Sequence, residues 1–130
     1  IIKLLKYLMK KYKLNKKNIL GHSDIAPNRK KDPGEKFPWN KLAYKNLCNW
    51  YSISQKKLIK LRNIKLERKH QKKFQENLYN IGYPKIFPKN SKINKKNLTT
   101  AFQRKFRQGL INGVIDQECL EISENLLKNK

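Results

Sequence analysis

Apolar residues recur at helical spacing from the first position. Ile1, Leu4, Leu5, Leu8, Met9 and Tyr12 fall on one stripe, with Lys3, Lys6, Lys10 and Lys13 off it. That period predicts an amphipathic helix whose apolar face turns toward a core. Asn15 breaks the pattern. Asn18-Ile19-Leu20-Gly21 then predicts a short buried strand ending at His22. From Ser23 to Trp39 the chain carries Pro27, Pro33, Gly34 and Pro38, which punctuate a loop. A loop of that length in a small unit is usually functional or disordered, and its mixture of His, Asp, Arg, Lys and Trp favours function. Trp39, Leu42, Ala43 and Leu47 predict a helix from Trp39 to Tyr51.

Periodicity weakens across the lysine-rich stretch from Ser52 to Lys69, which reads as a linker, partly helical in places. Beyond it Phe74, Leu78 and Ile81 define a helix that stops at Gly82, a C-terminal cap. A loop with Pro84 and Pro88 follows. Leu98, Ala101, Phe102 and Phe106 line a second helix, and Asn112-Gly113 signals a turn. Asp116 is placed to cap a last helix with Cys119, Ile122 and Leu126 along one side. The organisation predicted is therefore 1–55, a linker over 56–69, and a helical unit over 70–130.

The 130 residues are enough for one ordinary domain or two very small ones. The formal net charge of +23 allows a densely anionic partner, nucleic acid or an anionic envelope polymer. The lysines are spread over the whole length with no single basic arm, which fits a compositional drift toward surface lysine better. Cys48 and Cys119 stand far apart and outside any CxxC pair, so two buried thiols are expected rather than a disulfide. The opening apolar run is too short and too charged to span a membrane. It contains no signal-peptide pattern, and because it starts inside a helical period we expect the chain to be part of a longer protein.

The chemistry concentrates in Gly21-His22-Ser23-Asp24-Ile25-Ala26-Pro27-Asn28-Arg29-Lys30-Lys31-Asp32-Pro33-Gly34, closed by Phe37-Pro38-Trp39. An imidazole at 22 and a carboxylate at 32 can return to one point across a proline-stiffened loop. Together they are a usual zinc ligand pair, and a catalytic zinc takes three protein ligands and leaves one position open. On spacing alone such a pair is more often a structural hydrogen-bonded couple. The whole string, however, closely resembles the second metal-ligand segment of the type 2 N-acetylmuramoyl-L-alanine amidases, whose fold is shared with peptidoglycan recognition proteins. The resemblance implies that His22 and Asp32 ligate Zn2+ and that Lys30 is catalytic, its cation stabilising the negative charge of the tetrahedral intermediate in a metal-assisted amide hydrolysis. Without the motif Lys30 would read as one solvated lysine among many. Asp24 either orients a ligand or makes an Asx-type turn. Arg29 either binds a substrate carboxylate or pairs with an acid. The family's first zinc-binding His and its general-base Glu have no counterpart here and are expected upstream of Ile1.

The C-terminal part is similar to a second module. Asn77-Leu78-Tyr79-Asn80-Ile81-Gly82-Tyr83, then Ala101-Phe102-Gln103 with Phe106-Arg107, then Asn112-Gly113-Val114-Ile115-Asp116 resembles the three-helix peptidoglycan-binding domain. That role is to hold an enzyme on the wall and raise the effective substrate concentration. The order of the two modules matches the AmiD-like, periplasmic branch of these amidases. The expected fold is thus a partial α/β amidase unit lacking its N-terminal part, followed by an all-α three-helix domain. The expected function is zinc-dependent cleavage between N-acetylmuramic acid and L-alanine in peptidoglycan or muropeptides, in the periplasmic envelope or alternatively the cytoplasm, with an upstream fragment as a possible partner completing the zinc site. Two other readings stand beside it: a non-catalytic peptidoglycan-binding remnant, and a basic nucleic-acid-binding protein, which the scattered lysines and the lack of nucleic-acid motifs disfavour.

Overall fold

A computed structural model describes residues 1–129. It holds α1 (Ile2–Lys11), a 3-10 turn at Lys16–Asn18, α2 (His22–Ile25), α3 (Trp39–Tyr44), α4 (Gln55–Leu61), α5 (Arg68–Ile81), α6 (Lys92–Phe106) and α7 (Gln117–Lys128). Among the described residues there is no paired strand, and the one β-type contact is an isolated bridge between Lys65 and Asp116. The strand expected at Asn18–Gly21 is therefore a correction. Asn18 ends the 3-10 turn, Ile19 is extended, and Leu20 is exposed. An extended segment becomes a strand only when a neighbouring backbone pairs with it, and among the described residues side chains take that place here, Lys105 at the Ile19 carbonyl and Asp24 at the Gly21 N–H. The α/β character expected of the first unit is accordingly not seen among residues 1–129, which are helical. No helix among them is long and apolar enough to cross a membrane.

Two hydrophobic clusters form. The smaller gathers Trp39, Leu42, Leu47 and Cys48, with Ile2, Leu5, Met9, Ile19 and Phe37 against it. Half of the stripe expected on α1 turns outward instead: Ile1, Leu4 and Tyr12 are exposed. The helix expected over Trp39–Tyr51 stops at Tyr44, where Asn46 takes a left-handed φ of 56° and turns the chain, so that Leu47 and Cys48 enter the core from a loop.

The larger cluster is built by α4 to α7 around Leu58, Phe74, Leu78, Leu98, Phe102, Ile122 and Leu126. The stretch 56–69 carries α4, capped by Ser54, and it sends Leu58 and Leu66 out of solvent. Each later helix ends as the residues dictate. Gly82 closes α5 at φ 122°, a value that side chains resist. Ser91 accepts from the Asn94 N–H at the start of α6, and Asp116 from the Cys119 N–H at the start of α7. Inside the bundle Gln103 accepts from the Asn112 and Gly113 N–H groups at 3.0 and 2.8 Å and donates to the Val114 carbonyl, fixing the Asn112-Gly113 turn. Asn77 donates to Ser123 at 3.0 Å and ties α5 to α7. Cys48 and Cys119 are both free and buried. Trp50 touches both clusters, so the smaller rests directly on the larger.

Candidate metal-ligand and catalytic site

The loop from Gly21 to Trp39 leaves and returns to one point. Its departing arm is α2, a single turn closed by the Ala26 N–H donating to the His22 carbonyl at 2.8 Å. Its returning arm is held by the Ser23 N–H, which donates to the Asp32 carbonyl at 3.0 Å. That backbone bond sets the two side chains side by side. His22 Nδ1 stands 2.5 Å from Asp32 Oδ2, and the two side chains are 67% and 58% exposed, so the pair faces open solvent. The hydrogen bond from His22 holds the Asp32 carboxyl below its ordinary range, with the charges of His22 and Lys30 adding to the effect.

Close packing sets the spacing of the arms. A Cβ on Gly21 would stand 2.6 Å from Pro33 Cδ and 3.4 Å from the Trp39 ring. Only a glycine lets the departing arm lie against the returning one. Trp39 is buried and stacks obliquely on Phe37, with ring centroids 4.6 Å apart, so both aromatics pack the loop rather than present a face to solvent.

Lys30 and Arg29 are exposed at the far turn of the loop, where both backbone N–H groups donate to the Ala26 carbonyl. Asp24 is not on the open face with them. Its side chain is buried and takes three donors: the Gly21 N–H at 2.9 Å, Lys105 Nζ at 3.2 Å, and the Tyr83 hydroxyl at 2.9 Å. Burial, then the Asp24 carboxylate it faces, pushes the Tyr83 hydroxyl well above its ordinary range. The sequence does not single out Lys105, and it places Tyr83 only in the motif of the C-terminal module, not beside this loop. Both lie in the C-terminal helical part, and one buried lysine does not stand out among 32 basic residues. A signal was present nonetheless, since Lys105 is four residues after Ala101 and three after Phe102, on the core-facing side of α6.

An imidazole and a carboxylate meeting at an open surface fit two corners of a tetrahedral zinc site. Among the described residues no third His, Cys, Asp or Glu joins them. His70, on α5, makes no part of the group.

The N-acetylmuramoyl-L-alanine amidase family model matches residues 1–35, the segment holding His22, Lys30 and Asp32. The N-acetylmuramoyl-L-alanine amidase AmiD of Escherichia coli K12 is 31% identical over 128 residues, 98% of this chain. The chain spans 46% of that relative's length. A solved complex of E. coli AmiD with the substrate anhydro-N-acetylmuramic acid-L-Ala-D-γ-Glu-L-Lys superposes with a TM-score of 0.84, covering 98% of this chain and 49% of that one. AmpDh3 of Pseudomonas aeruginosa superposes at 0.81 with 28% identity, over 98% of this chain and 50% of its own. A complex of AmpDh3 with anhydromuramic pentapeptide gives 0.80. In sequence and in fold, over nearly its whole length, this chain is AmiD-like and resembles about half of a type 2 N-acetylmuramoyl-L-alanine amidase.

Proposed function

We propose that this chain supplies one half of a zinc-dependent amidase site that hydrolyses the amide bond between N-acetylmuramic acid and L-alanine in peptidoglycan or muropeptides. The observation that carries this reading is the 2.5 Å approach of His22 to Asp32 on an open surface. The substrates named for the AmiD and AmpDh3 complexes support the choice of anhydromuramyl peptides.

In this reading His22 and Asp32 hold the metal, and another stretch of polypeptide brings the third ligand and the general base. Zinc supplies Lewis acidity and an activated water when it is bound. Lys30 places a fixed cation where negative charge develops on the former carbonyl oxygen, an interaction stronger in the transition state than in the ground state. Arg29, exposed beside it, suits a carboxylate of the substrate's peptide. Asp24 acts from below, by fixing the turn that carries His22. The helices from α5 to α7 serve as the peptidoglycan-binding unit, and the place of work is the periplasmic envelope.

Zinc titration of the chain together with the completing polypeptide tests this. One equivalent should bind, and His22→Ala or Asp32→Ala should each abolish binding, while Lys30→Ala should leave it intact. In the presence of the completing polypeptide, Lys30→Ala should cost about 100-fold or more in muropeptide cleavage. No zinc binding by the chain in complex with that polypeptide would overturn the reading. It would favour the alternative of a non-catalytic peptidoglycan-binding remnant, which the two-donor set among the described residues also suits.

A further inference from the structure

Lys105 lies near the end of α6, 81 positions along the chain from Asp24, and its side chain is 5% exposed. A lysine there is chemically costly. Burial strips water from the ammonium, and a methionine or leucine of similar volume would pack without that penalty. Buried ion pairs of this kind serve geometry better than stability, because their donors and acceptors fix one arrangement.

The hydrogen-bond partners of this ammonium belong to the loop that carries His22 or to its approach, while on its own helix it also stands 5.5 Å from the centroid of the Phe106 ring. Lys105 Nζ donates to the Ile19 carbonyl at 3.1 Å, three residues before His22. It donates to Asp24 Oδ2 at 3.2 Å, two residues after His22. It stands 4.5 Å from the centroid of the Trp39 ring, the ring that abuts Gly21 and closes the loop. One cation thus holds a backbone carbonyl before His22 and a side-chain carboxylate after it, and stands against the Trp39 ring that abuts Gly21. Tyr83, just after α5, adds a second support through its bond to Asp24 Oδ1.

We propose that Lys105 is a positioning residue for the His22–Asp32 pair, with Tyr83 as its auxiliary. The C-terminal helical part is then integral to the site's geometry and does more than hold the protein to a polymer. The importance of that geometry for catalysis rests on the amidase reading above, but the mechanical link does not.

The chain has two histidines, His22 in the loop and His70 on α5, so their ring 13Cε1–1H signals report on the site and on a remote helix. Lys105→Met should move or broaden the His22 signal, leave His70 in place, and lower zinc affinity roughly tenfold or more. Lys105→Arg, which keeps the charge and its donors, should recover part of the loss. Ile122→Ala, which loosens the larger core without touching the loop, should leave the His22 signal unmoved and zinc affinity within about twofold. A Lys105→Met protein with an unchanged His22 signal and unchanged zinc affinity would overturn the proposal, as would an equal loss in Ile122→Ala. Should Lys105→Met fail to fold, Tyr83→Phe removes a single hydroxyl from Asp24, and an unmoved His22 signal there would also refute the link. If the unaltered chain binds no zinc even with the completing polypeptide, the amidase reading falls while the His22 signal still decides the role of Lys105.

Discussion

Asn97, on α6, donates its side-chain amide to Asn28 Oδ1 at 3.0 Å, while Asn28 donates its own to Asn94 Oδ1 at 2.9 Å. This double clasp joins the tip of the His22–Asp32 loop to the helix that also carries Lys105. Both bonds are solvent-exposed, so each contributes only modestly. A double-mutant cycle of Asn28→Ala and Asn97→Ala, measured by urea denaturation, should return a coupling of about 0.5–1 kcal/mol. A coupling of zero would mean that the loop tip holds its place without α6.

Gly21→Ala should spread the two arms of the loop. Its new methyl meets a proline ring at 2.6 Å, and Pro33 sits directly after Asp32 with little room to withdraw. Overpacking of this kind costs about 1–3 kcal/mol. The same change should separate His22 from Asp32 and weaken metal binding. Retention of wild-type zinc affinity in a folded Gly21→Ala protein would show that the arms can shift without the site noticing.

Arg107 anchors the turn before α7. Its guanidinium meets both Asp116 and Glu118, and donates to the Leu110 carbonyl at 2.9 Å and to Asn112 at 3.1 Å. All three charged groups are buried, and Arg62, just after α4, reaches Glu118 with two bonds of 2.8 and 3.0 Å. Arg107→Met leaves Asp116 without a cation and should destabilise the chain by about 3–5 kcal/mol. A domain of this size has roughly 5–15 kcal/mol in all, so partial unfolding at room temperature is expected by circular dichroism. A loss below about 1 kcal/mol would show that Arg62 alone can balance both carboxylates.

Alkaline solution should weaken the fold through its buried neutral acids. Burial pushes the Cys48 thiol up to about 11 and the Cys119 thiol to about 12, and pushes Tyr83 well above 10.0. The unfolded chain ionises these groups at their lower, ordinary values. Their contribution is therefore complete below about pH 9 and declines as pH rises toward the folded values. Urea midpoints of the wild type and of Tyr83→Phe separate the hydroxyl from the rest. The wild type should lose more than the variant between about pH 9 and pH 11, and parallel curves would exclude Tyr83 as a source.

The helices of the second half were legible because each rule acts within a few residues. Gly82 stops α5, Asp116 caps α7, and Leu98, Ala101, Phe102 and Phe106 share a buried face as their spacing requires. The His22–Asp32 meeting was legible only through the motif, since the bond that enforces it, from the Ser23 N–H to the Asp32 carbonyl, leaves no mark in residue type. Non-local features were hidden. Nothing near Asn18–Gly21 reveals the absence of a pairing partner for a segment that reads as a strand. Leu58 sits among lysines, yet it is buried where α4 packs on α7, a contact between segments far apart in the chain. Asp24 reads as a turn former, but its decisive neighbours, Tyr83 and Lys105, are 59 and 81 positions away.

The inward placement of Asp24, Asp116 and Glu118 also reshapes the exterior. Three of only nine acidic residues disappear into ion pairs, so folding removes a third of the negative charge from a surface that keeps most of its 32 basic groups. The outer field becomes more nearly single-signed than composition suggests, and it extends over a screening length of about 8 Å at physiological ionic strength. Encounter with any polyanion is then accelerated in dilute buffer and slowed as salt rises. Each concealed carboxylate is paired with a basic side chain, so the formal net charge of +23 is unchanged while the balance of signs left facing solvent shifts further toward the positive.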